Sequence, residues 1–93
     1  MAWKVGHKVT WPNGKAYIGS DLTDTISYFG TPDPQLIAAD FSREARRDIT
    51  VRREILWESE TATDAEVRAK EIELIREHQT NNPEHGYNRH PKK

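Results

Sequence analysis

Cysteine is absent from this 93-residue chain, which excludes disulfide stapling, thiolate nucleophiles and cysteine-held zinc and agrees with a cytoplasmic setting. Long apolar runs are missing as well. Nothing approaches the roughly 20 consecutive apolar residues of a membrane span, and the first residues lack the basic-then-apolar order of a secretion signal. The chain therefore reads as a soluble cytoplasmic protein with no membrane partner. A glycine-rich phosphate loop is also lacking, which leaves a nucleotide-binding reading without support. Neither charge is in surplus: 14 Lys plus Arg stand against 15 Asp plus Glu, a net charge of -1, and the isoelectric point is near 6.4. No global cationic field advertises a nucleic-acid partner. Basic residues are nevertheless clustered, with Arg43, Arg46, Arg47, Arg52 and Arg53 close together and Arg89, His90, Lys92 and Lys93 in the tail. The length suits one domain with one core.

Two strands open the chain. Val5, His7, Val9 and Trp11 alternate with Lys4, Gly6, Lys8 and Thr10, a two-residue period, and Lys15 to Gly19 supplies a second strand. Trp11-Pro12-Asn13-Gly14 suits a type I turn followed by a left-handed glycine, a three-residue loop with a bulge. That loop length sets Val9 opposite Tyr17 and places His7 diagonal to Tyr17 on the same face. Residues 20–30 read as a short helix or turn. A helix with Pro34 in its first turn follows, reaching Arg47 or breaking near Ser42. Residues 48–58, rich in β-branched and aromatic side chains, read as a third strand. The predicted fold class is α/β: a small, mainly antiparallel three-stranded sheet flanked by helices.

The last helix is the most strongly signalled element. Thr63 with Glu66 three residues on forms a capping box, and the pattern runs to about His78. At ~100° per residue, Ala65, Val67, Ile72, Leu74 and Ile75 share one side and Glu66, Lys70, Glu73 and Glu77 the other. Glu71 falls between Val67 and Ile75, inside the apolar side, which His78 shares. Desolvating a carboxylate costs several kcal/mol unless it is paired or bound to metal. An arginine partner, a gap to solvent, or a hydrated Mg²⁺ with open positions for water and phosphate each meets that need.

Tyr17-Ile18-Gly19, then Glu71 four residues before Ile75, then Gly86-Tyr87-Asn88 occur in an order and at separations that resemble the GIY-YIG nuclease superfamily. The resemblance covers nearly the whole chain and is to a compact, stand-alone form of that domain. It implies metal-dependent phosphodiester hydrolysis with a helix glutamate, here Glu71, holding Mg²⁺ or Mn²⁺. It also implies that Tyr17 positions the attacking water and that Asn88 donates to phosphate or orders the loop beside the metal. Two departures stand out. The first motif's tyrosine position falls on His7, whose ordinary pKa near 6.5 suits proton abstraction at neutral pH better than a phenol; a half-buried structural histidine is the other reading. The family's arginine belongs on the helix after the Tyr-Ile-Gly strand, yet residues 20–42 contain none. Arg43, Arg46 and Arg47 from the next helix, or Arg53 from the third strand, are the substitutes.

The implied partner is nucleic acid, DNA rather than RNA, with sequence specificity left to a targeting partner or a dimer. The competing reading is a catalytically inactive relative that binds nucleic acid or a protein, favoured by the missing arginine and the acidic isoelectric point. Trp3, Trp11 and Trp57 fall in strands and are expected in the core, with base stacking as the alternative if exposed. His85 and His90 flank the Gly-Tyr-Asn segment, but their spacing matches no common zinc pattern.

Overall fold

Pro12 and Gly14 determine how the chain first folds back. Gly14 sits at φ +85, its N–H donates to the Trp11 carbonyl at 2.9 Å, and Trp11 N–H donates to the Lys15 carbonyl at 2.9 Å. This is the expected type I turn with a bulged glycine. It locks β1 (Lys4–Thr10) to β2 (Ala16–Asp21) in the register Val9↔Tyr17 and His7↔Gly19. The computed structural model describes residues 3–93. β3 (Arg52–Ser59) pairs antiparallel with the other edge of β1, so the sheet order is β2-β1-β3. Its start is later than residue 48 because pairing stops at Thr10↔Arg52, where β1 turns into the hairpin. Between Gly6 and His7 the β3 register shifts by one residue, so that Gly6 faces Trp57 while His7 faces Ile55. Arg53 and Ile55 thus fall on the His7 face, Trp57 on the other.

α1 (Pro34–Asp40) has Asp33 as N-cap, its carboxylate accepting from Gln35 N–H at 3.0 Å. It stops at Phe41, which is extended and buried against Tyr17 and Tyr87. The chain restarts as a 3₁₀ turn, Ala45–Arg47, with the Ser42 hydroxyl accepting from Ala45 N–H. One helix through Arg47 is ruled out because burying Phe41 needs a non-helical backbone there.

α2 (Asp64–His78) carries the complete capping box: Thr63 Oγ1 accepts from Glu66 N–H and Glu66 Oε1 from Thr63 N–H. Thr63→Ala removes one of these bonds and loosens the other, with an expected cost of about 1 kcal/mol in urea denaturation. Val67, Leu74 and Ile75 are buried, the last two against Ile18, Leu56 and Trp57. Gly6 lets the helix approach: a Cβ there would lie 3.2 Å from Leu74 Cδ1. Ala65 and His78, expected on the packed side, are exposed, because only the middle of the helix lies over the narrow sheet.

The two sheet faces are thus covered differently. α2 covers the face of Gly6 and Ile18, while residues 22–41 and the Tyr87 segment cover the face of His7, Val9 and Tyr17. The outer edge of β2 is partly closed by residues 85–88. Ala16 N–H donates to the His85 carbonyl and Tyr87 N–H to the Ala16 carbonyl, a parallel bridge between Ala16 and Gly86. Trp3, expected inside, is 40% exposed; Trp11 stacks edge-on against Tyr87 at 5.1 Å, and Trp57 is half-buried. Among the described residues no helix is long and apolar enough to cross a membrane.

Candidate functional site

The cleft forms where β2 leaves the shelter of its neighbours. From one sheet face come Tyr17 and the loop after β2; from the other, α2 brings Arg68 and Glu71. Two hollows of about 510 and 530 Å³ meet along the saddle made by Tyr17, Thr31, Arg68 and Glu71. Tyr17 and Glu71, 54 positions apart by number (17 and 71), therefore share one wall.

Glu71 is half-buried. Its Oε2 accepts from the Ser20 hydroxyl at 2.6 Å, and among the described residues no ion pair includes it. A single carboxylate with one oxygen steadied by a hydroxyl and the other unengaged suits Mg²⁺, which takes one or two carboxylates and keeps its waters. A protein cage is not what this site offers: the described residues contain no group of three or more His, Asp or Glu able to surround a metal.

Tyr17 is 7% exposed; its hydroxyl lies 3.3 Å from Thr31 Oγ1. Gly30, at φ +82, admits the ring, since a Cβ at that position would overlap it. His7 lies behind Tyr17, fully buried, its ring 6.4 Å from Tyr17 and 5.8 Å from Tyr28. It lines neither hollow, and among the described residues neither ring nitrogen has a hydrogen-bond partner. A Cβ at Gly19 would sit 3.0 Å from the Tyr17 hydroxyl and 3.1 Å from His7 Nε2. With Tyr17 Cε2 only 2.7 Å from that point, the missing side chain is what lets the Tyr17 ring pack over β2 beside His7.

Burial, with the Arg53 charge adding to it and Asp21 opposing it, lowers the His7 pKa to about 4. Between that value and the unfolded value near 6.5 the unfolded chain binds more protons than the folded one, so stability falls as pH drops through this window. The slope approaches ~1.4 kcal/mol per pH unit and the total about 3 kcal/mol. Urea midpoints followed from neutral pH down to about 4 will show this loss, and His7→Leu will flatten it. Asp21 adds a loss of the same sign only toward the acid end of the window, below about pH 5, so the His7 contribution is read above that. Burial raises its pKa, but bonds from Thr23 and Thr25 and the Arg53 charge outweigh that and lower it.

Asn88 closes the inner wall. Its Oδ1 accepts from Ile18 N–H at 2.8 Å and its Nδ2 donates to the Ile18 carbonyl at 2.8 Å. The side-chain amide thereby acts as the next strand would, satisfying the outward groups of β2. Of the two roles implied for it, ordering the loop is the one the hydrogen bonds display.

None of the four arginines offered from sequence, Arg43, Arg46, Arg47 and Arg53, lines the cleft. Arg46 is exposed on the 3₁₀ turn, with Nε 3.4 Å from the Ser42 carbonyl. Arg53 is engaged behind the loop, with Nε donating to the Tyr28 carbonyl at 3.2 Å and its guanidinium 3.7 Å from Asp21. The cations that line the cleft are Arg68 and Arg89. Arg68 was legible in principle, since it precedes Glu71 by three residues and so lies on the same side of α2; Arg89 and Ser20 depended on tertiary placement. No protein-family model matches the chain, nor does any curated protein or solved structure.

Proposed function

We propose that the chain is a GIY-YIG-like domain that hydrolyses phosphodiester bonds of nucleic acid, DNA in preference to RNA, in the cytoplasm. The observation that carries this is Glu71: a half-buried carboxylate on the packed side of a helix, outside every ion pair among the described residues, at an open cleft that also holds Arg68 and Arg89. Purely structural burial of such a group, without a compensating cation, costs free energy for no return.

In this reading Glu71 holds Mg²⁺ or Mn²⁺ and Ser20 orients the carboxylate. When bound, the ion would supply Lewis-acid chemistry toward a phosphate oxygen. Tyr17, facing the cleft with its hydroxyl 3.3 Å from Thr31 Oγ1, orients the attacking water. His7, neutral at physiological pH because burial disfavours its charged form, backs the Tyr17 ring instead of taking the water's proton, the role its sequence position had suggested. Arg68 takes over the role offered from sequence to Arg43, Arg46, Arg47 or Arg53, neutralising charge that builds on the phosphate. Asn88 holds β2 and the adjoining loop in register. A dimer or a targeting partner supplies sequence specificity, since the cleft offers phosphate contacts and little to read base order.

Mn²⁺ titration followed by NMR is the direct test. Paramagnetic broadening centred on Ser20 and Glu71, and lost in Glu71→Gln, is the expected outcome. Equal broadening in both proteins would remove the metal site and leave the inactive, binding-only relative as the better description.

A further inference from the structure

The two halves of the cleft differ in chemistry. Beyond the shared saddle, which carries Arg68, one half is walled by Pro32, Pro34, Asn88, Arg89 and His90 and so adds a second arginine. The other is walled by Ser20, Leu22, Thr23, Thr25 and Tyr28, together with Asp21. Asp21 is only 5% exposed and its oxygens are engaged by Thr23, Thr25 and Arg53. That half therefore presents hydroxyls and two apolar surfaces, Leu22 at 40% and Tyr28 at 41% exposure. Ile26 and Phe29, on the same loop, are 82% and 43% exposed. The loop is anchored, not dangling: Asp21 receives the Thr23 and Thr25 N–H groups, Tyr28 N–H bonds the Thr25 carbonyl, and Arg53 holds the Tyr28 carbonyl. An anchored loop with this much exposed apolar surface, set beside Arg68, which is in no ion pair among the described residues, and the half-exposed Arg89, whose Nε lies 3.7 Å from Asp33, matches a ligand that is anionic at one end and flat and apolar at the other.

We infer that the substrate is nucleic acid with an unpaired nucleotide beside the scissile phosphate. Its backbone lies on Arg68 and Arg89, and its base enters the hollow between Leu22 and Tyr28. This deepens the proposed function and rests on it for the identity of the ligand. A base inside a duplex is stacked and cannot reach this hollow without being extruded, whereas a single strand, flap or gap offers one at little cost. Tyr28 provides the stacking surface, which every base can use, so preference follows strandedness and not sequence.

The experiment is fluorescence anisotropy in EDTA, with one labelled DNA strand of mixed sequence used alone or annealed to its complement. The single strand is expected to bind about tenfold more tightly or better, and Tyr28→Ala to lose about tenfold on the single strand with little change on the duplex. Arg68→Ala is expected to weaken both and lower the slope of log affinity against log salt by about 0.7 to 1. Because Tyr28 also packs on His7, Leu22→Ser and Tyr28→Trp accompany it. The first should weaken single-strand binding and the second preserve it, with unchanged melting temperatures. Equal or tighter duplex binding, no binding of either probe, or indifference to both Tyr28→Ala and Leu22→Ser overturns the inference. Metal is absent from the assay, so Glu71→Gln should bind the single strand at least as well as the parent. Single-strand preference without any Mn²⁺ response would therefore retain this inference and discard the hydrolase.

Discussion

Glu71→Gln is expected to reduce Mg²⁺-dependent cleavage of single-stranded or gapped DNA by at least about a thousandfold, with little change in fold. The substitution keeps the shape of the side chain and an oxygen to accept from Ser20, whose hydroxyl now lies 2.6 Å from Oε2. It removes the one negative charge that the saddle of the cleft offers a cation. Stability should hold or rise slightly, since a half-buried carboxylate that is in no ion pair among the described residues becomes neutral. Cleavage and urea denaturation measured on the same preparations separate the two effects. Nicking that survives Glu71→Gln points to a contaminating nuclease. Ser20→Ala should give an intermediate loss, because it frees the carboxylate to rotate while leaving its charge. Concentrating Mg²⁺ should restore part of the Ser20→Ala rate and none of the Glu71→Gln rate.

Gly86→Ala is expected to cost at least about 3 kcal/mol, a large share of the ~5–15 kcal/mol that holds a small domain together. The reason is close approach and not backbone dihedral. A Cβ at Gly86 would lie 2.6 Å from both the Cα and the carbonyl oxygen of Thr80 and would overlap the Ala16 carbonyl. All three are backbone atoms and none can rotate aside. Relief requires residues 85–88 to separate from β2, which breaks the Tyr87 N–H bond to Ala16 and lifts Asn88 from Ile18. It also draws out Tyr87, which is fully buried and whose hydroxyl donates to Asp40 at 2.8 Å and accepts from Asn13 at 2.9 Å. Burial and the neighbouring Asp40 outweigh the Asn13 bond and push that hydroxyl up to about 12. Gly14→Ala is the contrast. A Cβ there meets nothing within 4 Å, so only the left-handed φ is penalised and about 1 kcal/mol is expected. Urea midpoints of the two variants measured side by side decide the comparison.

Elements whose signal is local were legible before any coordinates. Pro12 and Gly14 dictate one loop length, and with it the Val9↔Tyr17 pairing. Thr63 and Glu66 mark the start of α2 to the residue. Three apolar residues spaced around Glu71 were enough to place it against the sheet. Harder to read was anything fixed by a distant partner. β3 begins at Arg52 because β1 ends at Thr10, and α1 breaks where Phe41 turns toward Tyr17 and Tyr87. Asn88 has the composition of a turn residue, and nothing near it in sequence announces that Ile18, 70 positions away, will take both ends of its amide.

The arginines show the same division. Clustering drew attention to Arg43, Arg46, Arg47 and Arg53, but proximity in sequence says little about which way a guanidinium faces. The one-residue shift in β3 leaves Arg53 on the Asp21 side, and the short turn after α1 leaves Arg46 on the surface. Arg68 reaches the cleft by helix geometry alone, three residues before Glu71.

Neighbouring residues were thus sufficient for the hairpin, for the capped final helix and for an acidic group pressed against apolar surface, because turns, caps and helical faces are settled within a few bonds of chain. Long-range packing alone made β2 an outer strand, sealed His7 behind two phenol rings and brought Tyr17, Glu71 and Arg68 to one opening. Those outcomes depend on which surfaces exclude water together, a property of the whole folded chain that no short stretch of it contains.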